Sequence, residues 1–194
     1  MRKDRKLIAQ ATKLSSFDLQ HILSQSSRSL PSANYQLEIF HANELSTQFQ
    51  QDIVDLFEKN MKNFYEQSLA GYQPDDKRKE LFDEQARYLL IRSSDTLVAF
   101  THFRFDMDYG SRVVYLYELQ VNENFQGQGL GKWIIEQLQH LGQQTQMSKI
   151  VLTVHQSNRQ AIDFYMKKCA FTLDITHSED DSVDYFILSC PIQL

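Results

Sequence analysis

Hydrophobic residues follow two periods along this chain, one typical of strands and one typical of helices. Runs rich in β-branched and aromatic residues predict strands at residues 35–40, 87–92, 97–106, 113–121, 149–154, 171–176 and 185–192. Apolar residues at helical spacing predict a helix within residues 1–30, before a Ser-rich linker, and further helices at 46–68, at 77–82, from 130 and from 158. Turns at 93–96 and 108–111 make neighbouring strands antiparallel.

These elements predict the fold class and the division of the chain. We expect an α/β (α+β) domain at residues 34–194, in which a mixed, mostly antiparallel central sheet is flanked by helices. Residues 1–33 are expected to form an N-terminal helical extension and linker. The segment at 65–74 mixes aromatic and turn residues, which favours a loop overlooking a pocket.

A glycine-rich turn with the sequence Gln126-Gly127-Gln128-Gly129-Leu130-Gly131 lies between the strand at 113–121 and the helix from 130. Glycines allow a sharp turn and a close approach to a ligand, and a helix start offers unpaired N–H groups. The turn therefore suits a phosphate group, although a flexible strand–helix connection has the same composition. No Gly-Lys-Ser/Thr follows, which excludes a Walker loop, and the glycine spacing does not fit the dinucleotide pattern Gly-x-Gly-x-x-Gly.

Composition narrows the class of protein further. The 194 residues are 42% hydrophobic, which suits one domain, and the net charge of −5 argues against a direct grip on nucleic acid. Cys169 and Cys190 cannot build a disulfide framework, and no Cys/His spacing is of the zinc type, so we expect no metal and a reducing compartment. No apolar run has the length of a membrane span, and we expect a soluble intracellular protein without membrane contact.

Two motifs resemble those of the GNAT superfamily of N-acetyltransferases: the loop pattern Gln126-x-x-Gly129-x-Gly131, and Asn158-x-x-Ala161-x-x-Phe164-Tyr165 followed by Phe171. The resemblance implies a GNAT fold and acetyl-CoA as co-substrate. It also implies a gap between the strands at 113–121 and 149–154 for the cofactor arm. The residues that it assigns to the cofactor are Leu119, Gln120 and Val121 through their backbone, and Gln126, Gly127, Gln128, Gly129, Leu130, Gly131, Lys132 and Asn158.

A closer resemblance links the chain to the D-type N-terminal acetyltransferases (NatD), which modify histone N-termini. It rests on residues 65–68, 99–106, 129–132, 145–147 and 152–154 and on Tyr117-Glu118-x-Gln120. The resemblance implies that Glu118 is essential for catalysis and that a histone peptide beginning Ser-Gly-Arg-Gly is the acceptor. Its implied peptide-site residues are Tyr65, Asp106, Met107, Tyr117, Thr153 and Tyr185. A monomer in the cytoplasm and nucleus is expected, with ribosome association as one use of the basic N-terminus.

The physical chemistry of the reaction gives roles to these residues. An α-amine has a pKa near 7.7–8.0, so a modest base such as Glu118 suffices to remove its proton. Tyr165 is the candidate proton donor at the thioester sulfur, with a packed core aromatic as the alternative. Strict strand alternation puts Tyr117 and Glu118 on opposite faces, so both reach one site only if the strand bulges or the site wraps its edge. Asp106, Asp108 and the acidic segment at 179–184 offer carboxylates to a cationic peptide, or form a solvated surface.

The sequence departs from the family pattern at two positions, and two other functions stay open. Ala70 stands where a large aromatic is expected, and Gln126 replaces an arginine at the start of the loop. A GNAT enzyme acting on lysine side chains or small amines has the same fold. A non-catalytic CoA-binding adaptor is the second alternative, and the presence of Glu118 and Tyr165 argues against it.

Overall fold

The computed structural model describes residues 2–178 and 183–193, so residues 179–182 of the acidic segment predicted at 179–184 lie outside the described ranges. Seven strands form one sheet in the order β1-β2-β3-β4-β5-β7-β6. The strands are β1 (Gln36–His41), β2 (Arg87–Ser93), β3 (Thr96–Asp108), β4 (Ser111–Val121), β5 (Lys149–His155), β6 (Thr172–Leu173) and β7 (Tyr185–Pro191). The helices are α1 (Arg2–Thr12), α2 (Ser16–Ser24), α3 (Thr47–Glu66), α4 (Pro74–Leu81), α5 (Leu130–Gln144) and α6 (Arg159–Asp163).

The sheet separates two hydrophobic cores, because successive side chains of a strand point to opposite faces. On β2, Leu89 and Ile91 face the core that contains α1, α2 and α5, whereas Tyr88 and Leu90 face the core beneath α3 and α4. The predicted mixed, mostly antiparallel sheet flanked by helices is confirmed. No helix in the described ranges is long and apolar enough to cross a membrane.

The N-terminal extension packs against the rest of the chain. Ala11, Leu19 and Leu23 are buried in the same core as α5. The Arg87 guanidinium donates a hydrogen bond to the carbonyl oxygen of Thr12, and Arg112 pairs with Asp4. Because these contacts join residues that are distant in the sequence, α1 and α2 are part of one structural unit with the sheet.

β4 and β5 pair over only part of their length. This parallel pairing extends from Val113 with Lys149 to Tyr115 with Val151, and the strands then separate. β3 pairs with β4 as far as Val121, so the second half of β4 has a partner on one side only. The predicted gap between these two strands is therefore present, and it opens a cleft in the middle of the sheet.

β4 carries the bulge on which the shared position of Tyr117 and Glu118 depends. Glu118 pairs with His102 on β3, but the next partner, Phe103, pairs with Leu116, so that Tyr117 is the extra residue. A bulge shifts the alternation of side chains by one position. Tyr117 and Glu118 consequently face the same side of the sheet, toward α3 and α4, and the conditional prediction of a bulge is confirmed.

Three predicted elements differ from the structure. The helix expected within residues 1–30 is two helices, because the Ser15 side chain caps α2 in a reciprocal capping box with Asp18. The strand expected at 171–176 is limited to Thr172–Leu173, since the Asp174 carboxylate accepts the Thr176 N–H and bends the chain. The helix from 158 passes into a π-helix at Phe164–Lys168, which leaves Met166 exposed.

Candidate active site

A cleft of about 1070 Å³ opens between the separated halves of β4 and β5. α3 borders it on one side, and the glycine-rich loop, α6 and the π-helix border it on the other. Most of the residues predicted for the site line this cleft: Tyr65, Tyr117, Glu118, Leu119, Gln120, Val121, Gln126, Gly127, Gly129, Leu130, Gly131, Lys132, Thr153, Asn158, Tyr165 and Tyr185. Gln128, Asp106 and Met107 do not line it.

The glycine-rich loop has the backbone that a phosphate site needs. Gly127 and Gly129 adopt φ values of 76° and 84°, and a Cβ added at either position would meet nothing within 4 Å. Gly129 is the N-cap of α5. Because glycine has no side chain, the N-cap residue makes no side-chain hydrogen bond to the first N–H groups of this helix. These N–H groups and the positive end of the helix dipole face the cleft, where an anion is favoured.

At Gly131 the absence of a side chain is needed for packing rather than for backbone conformation. A Cβ at this position would lie 3.0 Å from Cζ of Phe164 and 3.6 Å from Cδ2 of Leu119. The missing side chain lets the first turn of α5 pack directly against the π-helix across the base of the cleft. The two sequence motifs, which are separated in the chain, therefore meet at one contact.

Gln128 turns away from the main cleft. Its Oε1 accepts a hydrogen bond of 2.7 Å from the Tyr35 hydroxyl, and the residue lines a second cavity of about 500 Å³ beside Arg28 and Trp133. Gln128 was predicted to hold the cofactor with the rest of the loop, and its side chain does not line the main cleft. The backbone of residue 128 is still part of the loop.

The free side of β4 offers fewer backbone groups than predicted. Val121 lines the cleft, but its carbonyl oxygen already accepts hydrogen bonds from Asn60 Nδ2 at 3.2 Å and Gln126 Nε2 at 3.1 Å. Gln120 accepts a further bond from Asn60 through its side-chain Oε1, at 3.0 Å. Leu119 and its neighbours toward Leu116 are thus the segment left open to a ligand, since β5 has separated from it.

Glu118 is the best-buried carboxylate of the cleft, with an exposed fraction of 4%. Its Oε1 lies 2.6 Å from the Lys77 ammonium of α4, and its Oε2 accepts a 2.7 Å hydrogen bond from Gln120 Nε2. Glu118 is therefore not a solvent-exposed strand residue. A buried carboxylate held by two partners is fixed in orientation and can accept a proton directly or through water.

Tyr65 lies beside this carboxylate at the end of α3. Its hydroxyl accepts a 2.9 Å hydrogen bond from Lys77, and its ring meets the His155 ring edge-on at 4.8 Å. Burial, reinforced by the charge of Glu118, raises the pKa of Tyr65. Burial lowers the pKa of His155. Both groups are consequently neutral at physiological pH.

Tyr165 presents a hydroxyl that makes no hydrogen bond to any described residue, although the side chain is buried. Its ring packs against Phe164 at 5.0 Å and Phe171 at 5.4 Å. Burial, with the charge of Glu118, raises the pKa of Tyr165, so the hydroxyl keeps its proton at neutral pH. Tyr165 is thus a packed core aromatic, as the alternative states, and its role as proton donor stays a prediction.

The predicted peptide-site residues divide into two groups. Thr153 and Tyr185 lie on β5 and β7 at the cleft, and Tyr117 stacks on the His102 ring at 4.7 Å. Asp106 and Met107 lie near the outer end of β3, and the Asp106 carboxylate accepts the Met107 N–H at 2.6 Å. The structure thus places these two residues beyond the cleft on the same sheet.

Asn158 has a structural role in addition to its position in the cleft. Its Oδ1 accepts the Ala161 N–H at 3.1 Å and so caps α6. The cysteines, Cys169 and Cys190, are free and buried, and neither lines the cleft.

Three residues of this region were not found from the sequence: Asn60 and His155 line the cleft, and Lys77 contacts Glu118 without lining it. Lys77 and His155 had no recognisable motif, and Asn60 looked like one polar position of an amphipathic helix. The signal for Lys77 was its helical spacing of four residues from Leu81, which puts it on the apolar side of the short charged helix, and this signal is weak by itself. No group of three or more His, Cys, Asp or Glu side chains that could hold a metal ion occurs within residues 2–178 and 183–193.

Comparison with known proteins agrees with this geometry. The model of the acetyltransferase (GNAT) family matches residues 51–171, which is more than half of the 194-residue chain. The chain therefore belongs to the GNAT acetyltransferase family, and it is an acetyl-CoA-dependent acetyltransferase. The glycine-rich loop, the uncapped start of α5 and the open edge of β4 fit the phosphate and arm of this co-substrate.

Solved structures share the fold at low sequence identity. An acetyltransferase from Streptococcus agalactiae is 14% identical with a TM-score of 0.64, covering 82% of this chain and 99% of its own. The PaiA N-acetyltransferase of Thermoplasma acidophilum, in complex with coenzyme A, is 16% identical with a TM-score of 0.58, covering 80% and 99%. Naa50 of Arabidopsis thaliana, in complex with the bisubstrate analogue CoA-Ac-MVNAL, is 18% identical with a TM-score of 0.55, covering 81% and 99%.

Proposed function

We propose that this acetyltransferase modifies the N-terminal α-amine of a protein, and specifically of histones beginning Ser-Gly-Arg-Gly, as the NatD enzymes do. The observation that carries the proposal is the bulge of β4. It brings Tyr117 and the buried Glu118 to the same side of the sheet, next to Tyr65, so that aromatic walls surround a single carboxylate. We also propose that the protein acts as a monomer in the cytoplasm and nucleus.

The acceptor side of the cleft is closed in a way that favours a chain end. The Leu69 N–H, in the loop after α3, donates a 2.7 Å hydrogen bond to the Asp184 carboxylate at the start of β7. This contact joins the two segments that flank Tyr65 and Tyr185. An opening bounded in this manner supports a terminal amine over an amine within a continuous chain.

Two carboxylates, Asp106 and Asp108, lie on β3 at increasing distance from Glu118. Burial raises the pKa of Tyr117, and the nearby charge of Asp106 adds to this effect. Asp106 pairs with Val113, and at about 3.3 Å per residue this places it roughly 15 Å from Glu118 along the strand. A third peptide residue lies roughly 7 Å from the α-amine in an extended chain. An arginine at that position has the remaining reach in its side chain, which supports the Ser-Gly-Arg-Gly preference.

Asp108 lies two residues farther along β3, roughly 20 Å from the level of Glu118, and offers a partner to a cation that follows the third peptide residue. Its Oδ2 is buried without a hydrogen bond to any residue that the structure describes, and burial raises its pKa. Burial, with the charges of Tyr117 and Asp108, also raises the pKa of Tyr115 to about 12, which places Asp108 near that ring. A guanidinium would satisfy the buried oxygen through a charge-assisted hydrogen bond.

The roles of the chain's own residues follow from these contacts. The co-substrate, when bound, supplies an acetyl group as a thioester. Glu118 accepts the proton of the attacking α-amine, directly or through water, because its carboxylate is held by Lys77 and Gln120. The Tyr165 hydroxyl holds a proton for the leaving group. Neither cysteine is used, which supports direct attack in a ternary complex.

One neighbour in the comparisons supports a peptide acceptor. Naa50 of Arabidopsis thaliana was solved with CoA-Ac-MVNAL, a bisubstrate analogue, on a fold that overlaps 81% of this chain. The identity of 18% limits this support to the general arrangement of cofactor and acceptor.

Mass spectrometry of acetylated peptides tests the proposal. The full chain is incubated with acetyl-CoA and a Ser-Gly-Arg-Gly peptide, the matched Ser-Gly-Ala-Gly peptide, an N-terminally blocked lysine peptide or a free polyamine. We expect acetylation of the first peptide at its α-amine, with weaker acetylation of the alanine peptide. Preferred acetylation of the lysine peptide or the polyamine would overturn the proposed acceptor.

Glu118→Gln is the control for the catalytic role. We expect this variant to lose turnover by about 10²-fold or more while it binds coenzyme A as the unmutated chain does. Unchanged turnover would remove Glu118 from the mechanism. Because the substitution removes one of the two ion pairs of the buried Lys77 ammonium, circular dichroism is recorded alongside to show that the variant is folded.

A further inference from the structure

The Lys77 ammonium occupies a site built for a cation beside the proposed base. Lys77 has an exposed fraction of 7%, and its Nζ lies 2.6 Å from Glu118 Oε1 and 2.9 Å from the Tyr65 hydroxyl. It also contacts the Glu80 carboxylate and lies over the rings of Phe57 and Tyr65, at 4.8 Å and 5.0 Å. A buried ammonium requires such partners, because an unpaired charge in this place would be strongly destabilising.

We propose that Lys77 is a positioning residue for the acceptor amine: it fixes Glu118 and Tyr65, and it offsets the carboxylate charge so that the amine binds in its neutral form. The proposal rests on the proposed role of Glu118. Lys77 acts through Glu118 and Tyr65, and it is not itself a catalytic residue.

The physical reason concerns the charge of the substrate. A carboxylate without a counterion would stabilise an incoming α-ammonium as a salt bridge, and an ammonium is not a nucleophile. An opposite charge within about 4–6 Å shifts a titration by roughly 1–3 pH units, and a like charge acts in the other direction. With Lys77 in place, the buried Glu118–Lys77 pair has little net charge with which to hold an ammonium, and the Glu80 carboxylate lies on the partly exposed side of Lys77, where solvent screens its charge.

Other groups around the pair do not replace this cation. From β3 and β5, His102 and His155 face the pair, but burial lowers the pKa of each, so both are neutral. Arg104 on β3 lies 4.3 Å over the Tyr117 ring and pairs with Asp83 at 3.4 Å. Among residues 2–178 and 183–193, the cation paired with Glu118 is Lys77.

In the part of the chain that the structure describes, the remaining titratable groups that face the pair are one carboxylate and four tyrosines. Glu80 on α4 contacts the Lys77 ammonium from the partly exposed side. Burial raises the pKa of each tyrosine, so they stay protonated at neutral pH; they are Tyr65, Tyr72, Tyr88 and Tyr165. Despite burial, the charge partners of Lys77 raise its pKa, so Lys77 also keeps its charge near neutral pH, and the substrate amine is the group expected to titrate there.

The test compares pH profiles of kcat/KM for the Ser-Gly-Arg-Gly peptide, from neutral to alkaline pH, in the full chain and in Lys77 variants. We expect Lys77→Met to move the acidic limb of the profile to higher pH by about one unit, so that activity near neutral pH falls by about tenfold. Lys77→Arg, which keeps the charge, is expected to retain the position of the limb. Lys79→Met is the matched control, because Lys79 lies on the same helix but is exposed and pairs with Asp76.

Two further variants separate a positioning role from a structural one. Lys77→Gln keeps a hydrogen-bond donor for Tyr65 without the charge, and it carries the same prediction as Lys77→Met if the methionine variant does not fold. In the Lys77→Met, Glu118→Gln double variant both charges are gone, so Lys77→Met should cause no additional shift. A profile that is lowered equally at every pH, with an unmoved limb, would overturn the proposal.

The same set of Glu118 and Lys77 variants distinguishes an error in this inference from an error in the proposed function. If Glu118→Gln keeps the turnover and pH profile of the unmutated chain, the role of Glu118 is wrong and Lys77 has no base to position. If Glu118→Gln loses turnover while Lys77→Met and Lys77→Gln leave the limb in place, only the inference about Lys77 fails. Coenzyme A affinity, measured by calorimetry, should be unchanged in all Lys77 variants.

Discussion

Replacing Gly129 with alanine separates the local strain of the glycine-rich loop from its contact with the cofactor. Gly129 has a φ of 84°, and Gly110, in the turn between β3 and β4, has a φ of 83°. A Cβ at either position would meet nothing within 4 Å, so neither substitution creates a clash. The pair is therefore matched in backbone conformation and in space, but only Gly129 lines the cleft.

The expected loss of stability is the same for both variants. A non-glycine residue in the left-handed region costs about 1–2 kcal/mol. The lower entropy of alanine in the unfolded chain offsets about 0.5–1 kcal/mol of this cost. The net destabilisation of about 0.5–1 kcal/mol lowers Tm by roughly 1–4 °C for a chain of this size.

The expected effect on cofactor binding differs. The strain of alanine in the left-handed region shifts φ at position 129 away from 84°, and even a partial shift turns an N–H group of the loop away from the cleft. A hydrogen bond to a charged group contributes about 1.5–3 kcal/mol. Losing one such bond weakens coenzyme A binding by roughly 10- to 100-fold, whereas Gly110→Ala should leave the affinity unchanged.

Thermal denaturation and calorimetric titration with coenzyme A measure the two quantities separately. The expected result is two similar Tm values and two different dissociation constants. If both variants bind coenzyme A as the unmutated chain does, the loop does not grip the phosphates, and the assignment of residues 126–132 to the cofactor is refuted.

Two further predictions concern the π-helix and the turn that follows it. Tyr165→Phe removes a hydroxyl that makes no hydrogen bond to a described residue, so we expect a loss in kcat of about 10²-fold with unchanged stability and coenzyme A affinity; steady-state kinetics with an unchanged kcat would exclude Tyr165 as the acid. Ala170 is exposed and has a φ of 57°, where a glycine is unstrained. Ala170→Gly should therefore stabilise the chain by about 0.5–1 kcal/mol in urea denaturation, and a destabilised variant would contradict this account.

Patterns that depend on neighbouring residues were sufficient for much of the fold. β-Branched runs located β2, β3, β4 and β5 to within a few residues, because strand propensity and alternation are local properties. The same holds for α3 and α5, whose apolar stripes recur at helical spacing. The conditional expectation about Tyr117 and Glu118 was also local: alternation required either a bulge or a site that wraps the strand edge, and the structure has the bulge.

Contacts between distant segments decided the chemistry of the site. The burial of Glu118 depends on Lys77, which reaches it from α4, and a glutamate in an isolated strand carries no sign of that partner. Gln128 accepts a hydrogen bond from Tyr35, and the Val121 carbonyl accepts one from Asn60. Both donors lie far from their acceptors in the sequence. Side-chain partners across such distances are set by packing, which local periodicity does not encode.

The sequence by itself determined which residues could turn, alternate or carry a proton: the glycines at 127, 129 and 131, the run of β4, and the candidates Glu118 and Tyr165. The tertiary structure alone decided which of these groups share one cleft and in what charge state. The separation of β4 from β5 and the meeting of α4 with Glu118 are long-range events. A carboxylate becomes a controlled base only when burial and a paired cation fix its surroundings.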